Sequence, residues 1–442
     1  MGEWKKVKIG EFLTERQGRY KPDDNAIVTY KRLDKIDFSG TIHISEKPSK
    51  IDMIVVQPGD LVISGINVAK GAITVYQGTE PVTATIHYSS YILDDSVIDL
   101  EYFKYFVKSP AFIETLKKQV KGGIKTEIKP KVFLPLEISL PDLPTQKQIV
   151  KKISVNLKRV NKLAKEIETQ KRYAKQLRRN ILQDAIEGKL TADWRKEHPV
   201  QKGNPDYDAE ALFESIQKER KVDKKRKTLP PILDVEKPFE LPTGWKWVRL
   251  GEITTLITDG KHGDSIDQAD SGYFFLSAKD IQNEQLIYAN ARQIIKEDFL
   301  EIHRRTNLEP GDVCIVNTGA TIGKFAIAPD NKRTYYTTFQ KSVAVVKLEK
   351  PFVKNKYMKY FFMRDVSRLI KKSRGSAINN LLLSDMRKEI VPLPPLIEQD
   401  KIVLIVGNIL KKVDQLEQQI SQRKEYTNEL MKNILRRAFE EQ

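Results

Sequence analysis

The sequence predicts an α+β protein in which two similar mixed α/β domains are separated by an antiparallel pair of long, coiled-coil-like helices. Three observations support this prediction: an internal repeat, matched turn-and-strand motifs, and a heptad pattern that closes each copy. Residues 140–150 read L-P-D-L-P-T-Q-K-Q-I-V, and residues 393–403, 253 positions later, read L-P-P-L-I-E-Q-D-K-I-V. One unit therefore occurs twice, and we expect a pseudo-two-fold relation between the copies.

The globular part of each copy opens with the same motifs. Residues 4–11 read W-K-K-V-K-I-G-E, and residues 245–252 read W-K-W-V-R-L-G-E. A Pro-Gly-Asp turn precedes an apolar run at 58–63 and again at 310–315. This combination predicts a turn followed by a buried strand in both copies.

Helical patterns come later in each copy, so we expect mixed domains with strands first and helices afterwards. Between the copies lies a connector whose residues 218–227 include seven cations. That run is typical of a solvated linker, and the alternative is a sequence-independent phosphate contact. The expected divisions are a first mixed domain at 1–146, a first long helix at 147–190, the connector at 191–240, a second mixed domain at 241–398 and a second long helix at 399–442.

The closing stretch of each copy has apolar residues at heptad spacing, which indicates a long helix with one apolar seam. The predicted seam residues are Ile153, Val160, Leu163, Ile167, Leu177 and Ile181 in the first copy, and Val406, Val413, Leu416, Ile420, Leu430 and Ile434 in the second. Neither helix can bury its seam alone, so we expect the two helices to pair, with one globular body at each end. A helix over 154–187 would be about 50 Å long, or about 15 base pairs of duplex.

Composition narrows the class of partner. The formal net charge is +17 and the pI is near 9.4, and such a charge attracts phosphate backbones before any base is contacted. A generally basic surface of solvated lysines is the alternative. A single cysteine, Cys314, excludes an intrachain disulfide, and the opening M-G-E-W-K-K has no apolar signal region. No stretch approaches the roughly 18 apolar residues of a membrane span, so we expect a cytoplasmic protein without membrane contact.

The sequence contains few of the residue patterns that are typical of catalytic sites. Residues 319–325, G-A-T-I-G-K-F, imitate a phosphate-binding loop but are one residue short and have Phe in place of the magnesium-binding Ser or Thr. No adenine-methylation motif occurs, and one cysteine with five scattered histidines offers no zinc spacing. We therefore expect no catalytic residue, no metal and no cofactor in this chain.

Candidate DNA contacts lie in glycine-flanked polar loops. The loops at 64–71 and 317–324 occupy equivalent places in the two copies, and their small residues would let the backbone approach phosphates. An ordinary tight connection between strands is the alternative for both. Lysine or arginine pairs with guanine, and asparagine or glutamine with adenine, in the major groove. The candidates are Asn67, Lys70, His87, Lys121, Lys125, Lys261, His262, Thr321, Lys324, Gln340, Arg374 and Asn379.

Taken together, these motifs resemble those of the specificity (S) subunit of type I restriction-modification systems. The resemblance lies in L-P-T-G-W-K-W-V-R-L-G-E-I at 241–253, the two L-P-x-L-x-x-Q-x-x-I-V segments, N-I-L-Q-D-A-I-E-G-K-L-T-A-D-W-R at 180–195 and the G-A-T-I-G-K loop. The first copy departs from it, with I-N-V-A-K at 66–70 and no L-P-x-G-W lead.

The resemblance implies a non-catalytic subunit with two target recognition domains, each contacting one part of a bipartite target in double-stranded DNA. It also implies two adenine methyltransferase (M) subunits as partners and, in the complete complex, two restriction (R) subunits. Two other classes of function stay open. A stand-alone DNA-modifying enzyme would methylate or cut DNA without partners, whereas a non-specific coiled-coil scaffold for nucleic acid would show no sequence preference.

If the helix pair sets the distance between the two DNA contacts, inserting four residues into both helices at matched positions should lengthen the nonspecific gap of the target. Both half-sites should stay as they are, because neither globular body is changed. Sequencing of methylated adenines in cells that also contain the methyltransferase would measure both properties. Altered half-sites with an unchanged gap would contradict the hypothesis.

Overall fold

The structure is a computed structural model that describes residues 4–38, 40–45, 47, 49–67, 72–119, 129–220, 228–373 and 380–440. The chain divides into two compact units. The first comprises Met1–Lys171 and Gln418–Gln442, and the second comprises Arg172–Glu417. Each long helix therefore contributes one segment to each unit.

The elements of the first unit are strands followed by helices. The strands are β1 (Lys5–Lys8), β2 (Leu13–Glu15), β3 (Lys31–Ile36), β4 (Ile42–Ser45), β5 (Met53–Val56), β6 (Leu61–Ser64), β7 (Ile73–Val75), β8 (Val82–Thr85), β9 (Tyr88–Leu93) and β10 (Glu137–Leu140). The helices are α1 (Leu100–Phe106), α2 (Pro110–Gln119), α3 (Pro130–Phe133) and the 44-residue α4 (Leu143–Ile186), which continues into the second unit.

In the second unit α4 is followed by two short helices, α5 (Ala192–Glu197) and α6 (Ala209–Arg220), and the unit differs from the expected order in having a helix at residues 296–306 between two of its strands. Its strands are β11 (Lys246–Arg249), β12 (Thr254–Asp259), β13 (Phe274–Leu276), β14 (Ile281–Gln282), β15 (Gln285–Leu286), β16 (Val313–Val316), β17 (Phe325–Ile327), β18 (Thr337–Phe339), β19 (Val343–Leu348) and β20 (Ile390–Leu393). Its helices are α7 (Lys296–Thr306), α8 (Asn355–Ser373), α9 (Leu383–Lys388) and the 45-residue α10 (Leu396–Glu440), which ends in the first unit. Short 3-10 helices occupy Ile9–Glu11, Lys189–Thr191, Asp234–Glu236, Leu250–Glu252, Ala278–Asp280 and Lys332–Tyr336.

The internal repeat is present in the topology of the sheets. The first unit has an antiparallel sheet of order β2-β9-β6-β7, and the second has an antiparallel sheet of order β12-β19-β16-β17. Each unit also pairs its opening strand with the strand before its long helix, β1 with β10 and β11 with β20. A parallel pair recurs as β3 with β8 and β13 with β18. The predicted fold class, two similar mixed domains with long helices, is confirmed.

The repeated Pro-Gly-Asp motif forms the same buried corner in both units. Asp60 accepts hydrogen bonds from the Gln57 backbone N–H (2.9 Å) and from Arg16 Nε (2.6 Å). Asp312 accepts from the Glu309 N–H (2.8 Å) and from Lys347 Nζ (2.6 Å).

In both units the carboxylate closes its own turn and is paired with a cation, which is Arg16, just after β2, in the first unit and Lys347 of β19 in the second. Burial raises the pKa of Asp312, and the hydrogen bonds from Lys347 and from the Glu309 N–H oppose that shift. Paired in this way, the buried carboxylate fixes the start of strand β16, as Asp60 does for β6.

Segments of the two long helices lie antiparallel within each unit. In the first unit Lys424 Nζ lies 2.6 Å from Glu168 Oε1, and Phe439 packs in one cluster with Ile149 and Ile153. In the second unit Arg178 contacts both Asp414 and Glu417, the latter at 3.0 Å. Late residues of α10 thus meet early residues of α4, and early residues of α10 meet late ones of α4.

The predicted apolar seam has one buried row and one half-exposed row. The buried residues are Ile153, Val160, Ile167, Ile181, Val406, Val413 and Ile420, with Ile434 partly buried. The half-exposed residues, at 40–46% exposure, are Leu163, Leu177, Leu416 and Leu430. With a single partner helix, the row that faces it is covered and the neighbouring row keeps one side open to solvent.

Residues 191–220 of the expected connector are packed onto the second unit. Ala209, Leu212 and Ile216 of α6 follow one another at helical spacing and are fully buried, the latter two in the main core of that unit. Much of the basic run, residues 221–227, lies outside the described residues.

The N-I-L to D-W-R motif ends in a buried polar network of the second unit. Glu398 is 1% exposed and accepts hydrogen bonds from Thr191 Oγ1 (2.6 Å), Trp245 Nε1 (2.8 Å) and Arg195 Nη1. Arg195 also donates to the carbonyl of Gly188, whose φ of 71° favours glycine. The network fastens the chain that follows α4 to the start of α10 and to β11.

A fully buried glutamine fastens the first turn of α4 to the first unit. The Gln146 side chain accepts from the Asp99 N–H (2.7 Å) and donates to the carbonyls of Val97 (3.1 Å) and Pro141 (2.8 Å). These bonds use both ends of the amide and three backbone groups from the segments that flank the helix.

Gln399 makes the same three contacts in the second unit, 253 positions later. It accepts from the Lys354 N–H (2.8 Å) and donates to the carbonyls of Phe352 (3.1 Å) and Pro394 (3.2 Å). The glutamine in both L-P-x-L-x-x-Q segments is therefore a structural residue that joins each long helix to its globular body.

Replacing Gln399 with Leu should lower the free energy of unfolding of the second unit by about 2–5 kcal/mol, because three buried backbone groups lose their partner. Hydrogen exchange should accelerate at the Lys354 amide. Gln415→Leu, at an exposed position of the same helix, is the matched control and should change stability by less than about 0.5 kcal/mol. Equal behaviour of the two variants in calorimetry and hydrogen exchange would contradict this role.

Candidate nucleic-acid interface

Several loops of the second unit meet at one end of the sheet β12-β19-β16-β17. Strand β12 ends and β19 begins at this edge, where Asp259 is opposite Ala344. Strand β16 ends and β17 begins at the same edge, where Ile315 is opposite Phe325. Antiparallel pairing therefore brings together the loops that follow β12 and β16 and the residues that precede β19. We call this edge the loop end of the second unit.

The loop after β12 is tightly packed against the residues before β19. The Lys261 N–H donates to the Phe339 carbonyl at 2.9 Å, and the Lys341 N–H donates to the Lys261 carbonyl at 3.0 Å. A Cβ on Gly260 would lie 1.8 Å from the Phe339 carbonyl oxygen, so only glycine fits there. Lys261 and Gln340, two predicted contacts, are neighbours in this arrangement.

Lys261 and His262 of this loop lie beside carboxylates of the same unit. Lys261 Nζ lies 3.2 Å from Asp298 Oδ1 and 3.3 Å from Glu301 Oε2 of α7. Burial acts to lower the pKa of Lys261, but the hydrogen bonds to these two carboxylates outweigh it and raise that pKa. His262 Nε2 lies 3.4 Å from Asp259 Oδ2. Lys261 therefore fastens the loop to α7, a role that sequence patterns did not indicate.

The loop after β16 is held at its base and open at its tip. The Asn317 N–H donates to the Ser342 carbonyl at 3.0 Å, and Thr318 Oγ1 donates to Asn380 Oδ1 at 3.2 Å. Gly319 has a φ of 96°, a left-handed conformation that side chains rarely adopt. This geometry connects two antiparallel strands and does not lead into a helix as a phosphate-binding loop of the P-loop class does.

At the tip of this loop Thr321 is half-buried and Lys324 is exposed. The Lys324 ammonium makes no ion pair with any of the described residues. It therefore offers an uncompensated positive charge at the loop end.

A cleft of about 750 Å³ opens beside this tip. Its lining combines an apolar floor with a polar, cationic rim: Arg178, Leu182, Lys279, Ile281, Gln282, Asn283, Glu284, Ala320, Thr321, Ile322, Gly323, Lys324, Phe325 and Met363. Among these, Lys279, Gln282 and Asn283 were missed by sequence reasoning. The sequence signal for these residues is I-Q-N-E-Q-L at 281–286. The pair N-E separates I-Q from Q-L, and an Asn-containing pair between two short strands is typical of a hairpin turn.

The first unit places its predicted contacts at the equivalent end of β2-β9-β6-β7. Asn67 follows β6 and His87 precedes β9, and the Gly65 N–H donates to the His87 carbonyl at 3.0 Å. His87 is exposed and Asn67 is half-buried. His87 and Gln340 are 253 positions apart, so they occupy the same place in the two units.

The remaining predicted contacts cannot be placed. Lys70, Lys121, Lys125, Arg374 and Asn379 lie outside the described residues. Of the described candidates, Asn67 and His87 lie at the same edge of the sheet in the first unit, whereas Lys261, His262, Thr321, Lys324 and Gln340 lie at the corresponding edge in the second. Their contact with DNA stays a prediction.

Within the described ranges, no group of three or more His, Cys, Asp or Glu side chains could hold a metal ion. Burial raises the pKa of the Cys314 thiol well above its usual value. None of the helices in the described part of the chain is long and apolar enough to cross a membrane.

The chain is similar in sequence and in fold to known proteins. Residues 242–425 match the family model for the type I restriction modification DNA specificity domain. The chain is 26% identical over 294 residues to the EcoAI specificity subunit of Escherichia coli, covering 62% of this chain and 46% of that relative. It is 22% identical over 441 residues to the Escherichia coli EcoDI specificity subunit, covering 99% of this chain and 88% of that relative.

A solved chain from a study of complex assembly and conformational transition of the type I R-M system has the same fold, with a TM-score of 0.61 at 19% identity and coverage of 99% of this chain and 97% of that chain. Residues 242–425 match a type I DNA specificity domain, and over nearly its whole length the chain is similar to a type I restriction enzyme specificity subunit. It spans less than half the length of the EcoAI relative.

Proposed function

We propose that this chain binds double-stranded DNA at a bipartite sequence, one half contacted by each unit, and directs adenine methyltransferase subunits to that site. The observation that supports this proposal best is the repeated loop end. Two sheets of the same strand order present polar, glycine-containing loops at the same edge, and the variable side chains on those loops differ between the units. Two similar surfaces with different contacts suit a target made of two different half-sites.

Charge supports DNA as the ligand. Beyond the overall charge of +17, Lys279, Lys324 and Lys341 are exposed at or beside the loop end of the second unit. Lysines of this kind contact phosphates and fix the register, while amides such as Asn67 and Gln340 are suited to base edges. The chain itself is proposed to be non-catalytic and cytoplasmic, with methyl transfer carried out by its partners.

The Lys324→Ala variant should bind its DNA target more weakly, and the salt dependence of binding should fall by about one counterion, because one phosphate contact is lost. Titrations across a range of salt concentrations would measure both. Lys332→Ala removes an exposed lysine beyond the opposite end of β17 and is the control. If wild type and Lys324→Ala showed the same salt dependence of DNA binding, Lys324 would not contact a phosphate.

Exposed apolar side chains on the long helices supply surfaces for the methyltransferase subunits. The first unit exposes Leu163, Tyr426 and Leu430, at 40%, 67% and 46%. We call these three residues the first helix patch. Tyr426 and Leu430 are one helical turn apart on one face, and the ion pair of Glu168 with Lys424 sets Leu163 at about the level of Leu430.

The second unit repeats this set as Tyr173, Leu177 and Leu416, at 64%, 45% and 41% exposure, and we call it the second helix patch. Each residue of one patch has its counterpart in the other at the constant offset of 253. Two equivalent patches fit two copies of one partner, so we propose one methyltransferase subunit on each. In the complete complex, two restriction subunits would join this chain and its methyltransferase subunits.

Changing Leu163 and Leu430 together to Ser should leave the chain able to hold one methyltransferase subunit instead of two, because one apolar patch is lost and the other stays intact. Native mass spectrometry of the purified complex would count the subunits. Leu404→Ser is the control, since Leu404 is 58% exposed but has Lys151 as its counterpart in the repeat. Retention of two subunits by the double variant would refute this docking surface.

A further inference from the structure

A rigid hairpin forms one wall of the cleft in the second unit. Strands β14 and β15 pair through Ile281 with Leu286 and Gln282 with Gln285, leaving Asn283 and Glu284 as a two-residue turn. Both turn residues have positive φ, 48° and 61°, as the type I′ hairpin turn requires. Asparagine tolerates that conformation better than most residues.

The base and one side of the hairpin are fixed by contacts with the rest of the unit. Ile281 and Leu286 are 0% and 7% exposed and pack into a hydrophobic cluster with β16 and β19. Glu284 Oε2 lies 2.7 Å from Lys359 Nζ of α8. Gln282 Nε2 donates to the Lys279 carbonyl at 2.9 Å, which closes the chain that leads into the hairpin. The tip is thus presented in one conformation.

Asn283 is the tip residue whose side chain remains available. It is exposed, and none of the described residues forms a hydrogen bond with its amide group. Its neighbours along the cleft include Lys279 and Lys324, two exposed lysines that make no ion pair within the described residues. The cleft lining thus combines an amide without a hydrogen-bond partner and two lysines without ion pairs among the described residues, and such groups are suited to an adenine edge and to phosphates, respectively.

Among the described residues, a hairpin turn of this type occurs in the second unit only. Every non-glycine residue with positive φ in the described chain lies in the second unit, so the first unit has no turn of this type among its described residues. A contact made here can therefore affect only one half of a bipartite target.

We propose that Asn283 is a specificity-determining residue that recognises one adenine in the half-site bound by the second unit, with Lys279 and Lys324 on the flanking phosphates. This inference rests on the proposed function of the chain. The NH₂ group of Asn283 donates to adenine N7, and its side-chain carbonyl oxygen accepts from the adenine N6 amino group.

The test uses the full chain in complex with its methyltransferase partner, and selects bound duplexes from a pool with randomised sequence. Asn283→Gly removes the amide and keeps a residue suited to positive φ. Asn290→Gly is the matched control, because Asn290 is also exposed with a φ of 59° but does not line the cleft. Asn283→Asp keeps the shape and the conformation but replaces the donor with a second acceptor.

For Asn283→Gly the preference for adenine at one position of one half-site should fall about tenfold or more, with the other half-site unchanged. Asn283→Asp should lose the same preference, because a carboxylate cannot donate to N7. An unchanged motif in both variants, or an equal loss in both half-sites, would overturn the inference while leaving the proposed function in place. A wild-type complex with no bipartite motif would overturn the proposed function itself, and this inference with it.

Discussion

The arrangement of this protein depends on how each long helix is joined to its globular body. Gln146 and Gln399 each make three hydrogen bonds to backbone groups around the first turn of the helix, and both are fully buried. A buried amide with every bond satisfied holds one geometry, since any other leaves polar groups unpaired away from water. The direction in which a helix of more than 40 residues leaves its domain is therefore set within its first turn.

Buried polar side chains with satisfied hydrogen bonds also fix the strands that carry the loops of each unit. Asp60 and Asp312 are buried carboxylates that close their own turns, and each is paired with a cation that is distant in sequence. Because these polar corners lie at the far end of strands β6 and β16, the frame is fixed independently of the loops at the opposite end. The loops can then differ in sequence between the two units without loss of the fold.

The two units use this common frame differently. The second unit adds the β14–β15 hairpin and helix α7, whose carboxylates pair with Lys261, whereas the first unit adds β4 and β5 to make a second four-stranded sheet. Equivalent positions also carry different side chains, such as His87 in the first unit and Gln340 in the second. The repeat therefore preserves strand order and helix attachment while the chemistry at the loop ends diverges.

The sequence by itself determined the repeat, the fold class and the two long helices, because periodic apolar positions and turn residues are local signals that survive in a linear chain. It also predicted Thr321 and Lys324 as DNA contacts, because they follow a recognisable strand, and that contact stays a prediction. Tertiary structure alone decided which lysines are paired, that α6 is part of a core, that one seam row stays half-exposed, and that the hairpin at Asn283 lines the same cleft as Lys324. Those outcomes depend on contacts between residues far apart in sequence, and no spacing rule encodes such distances.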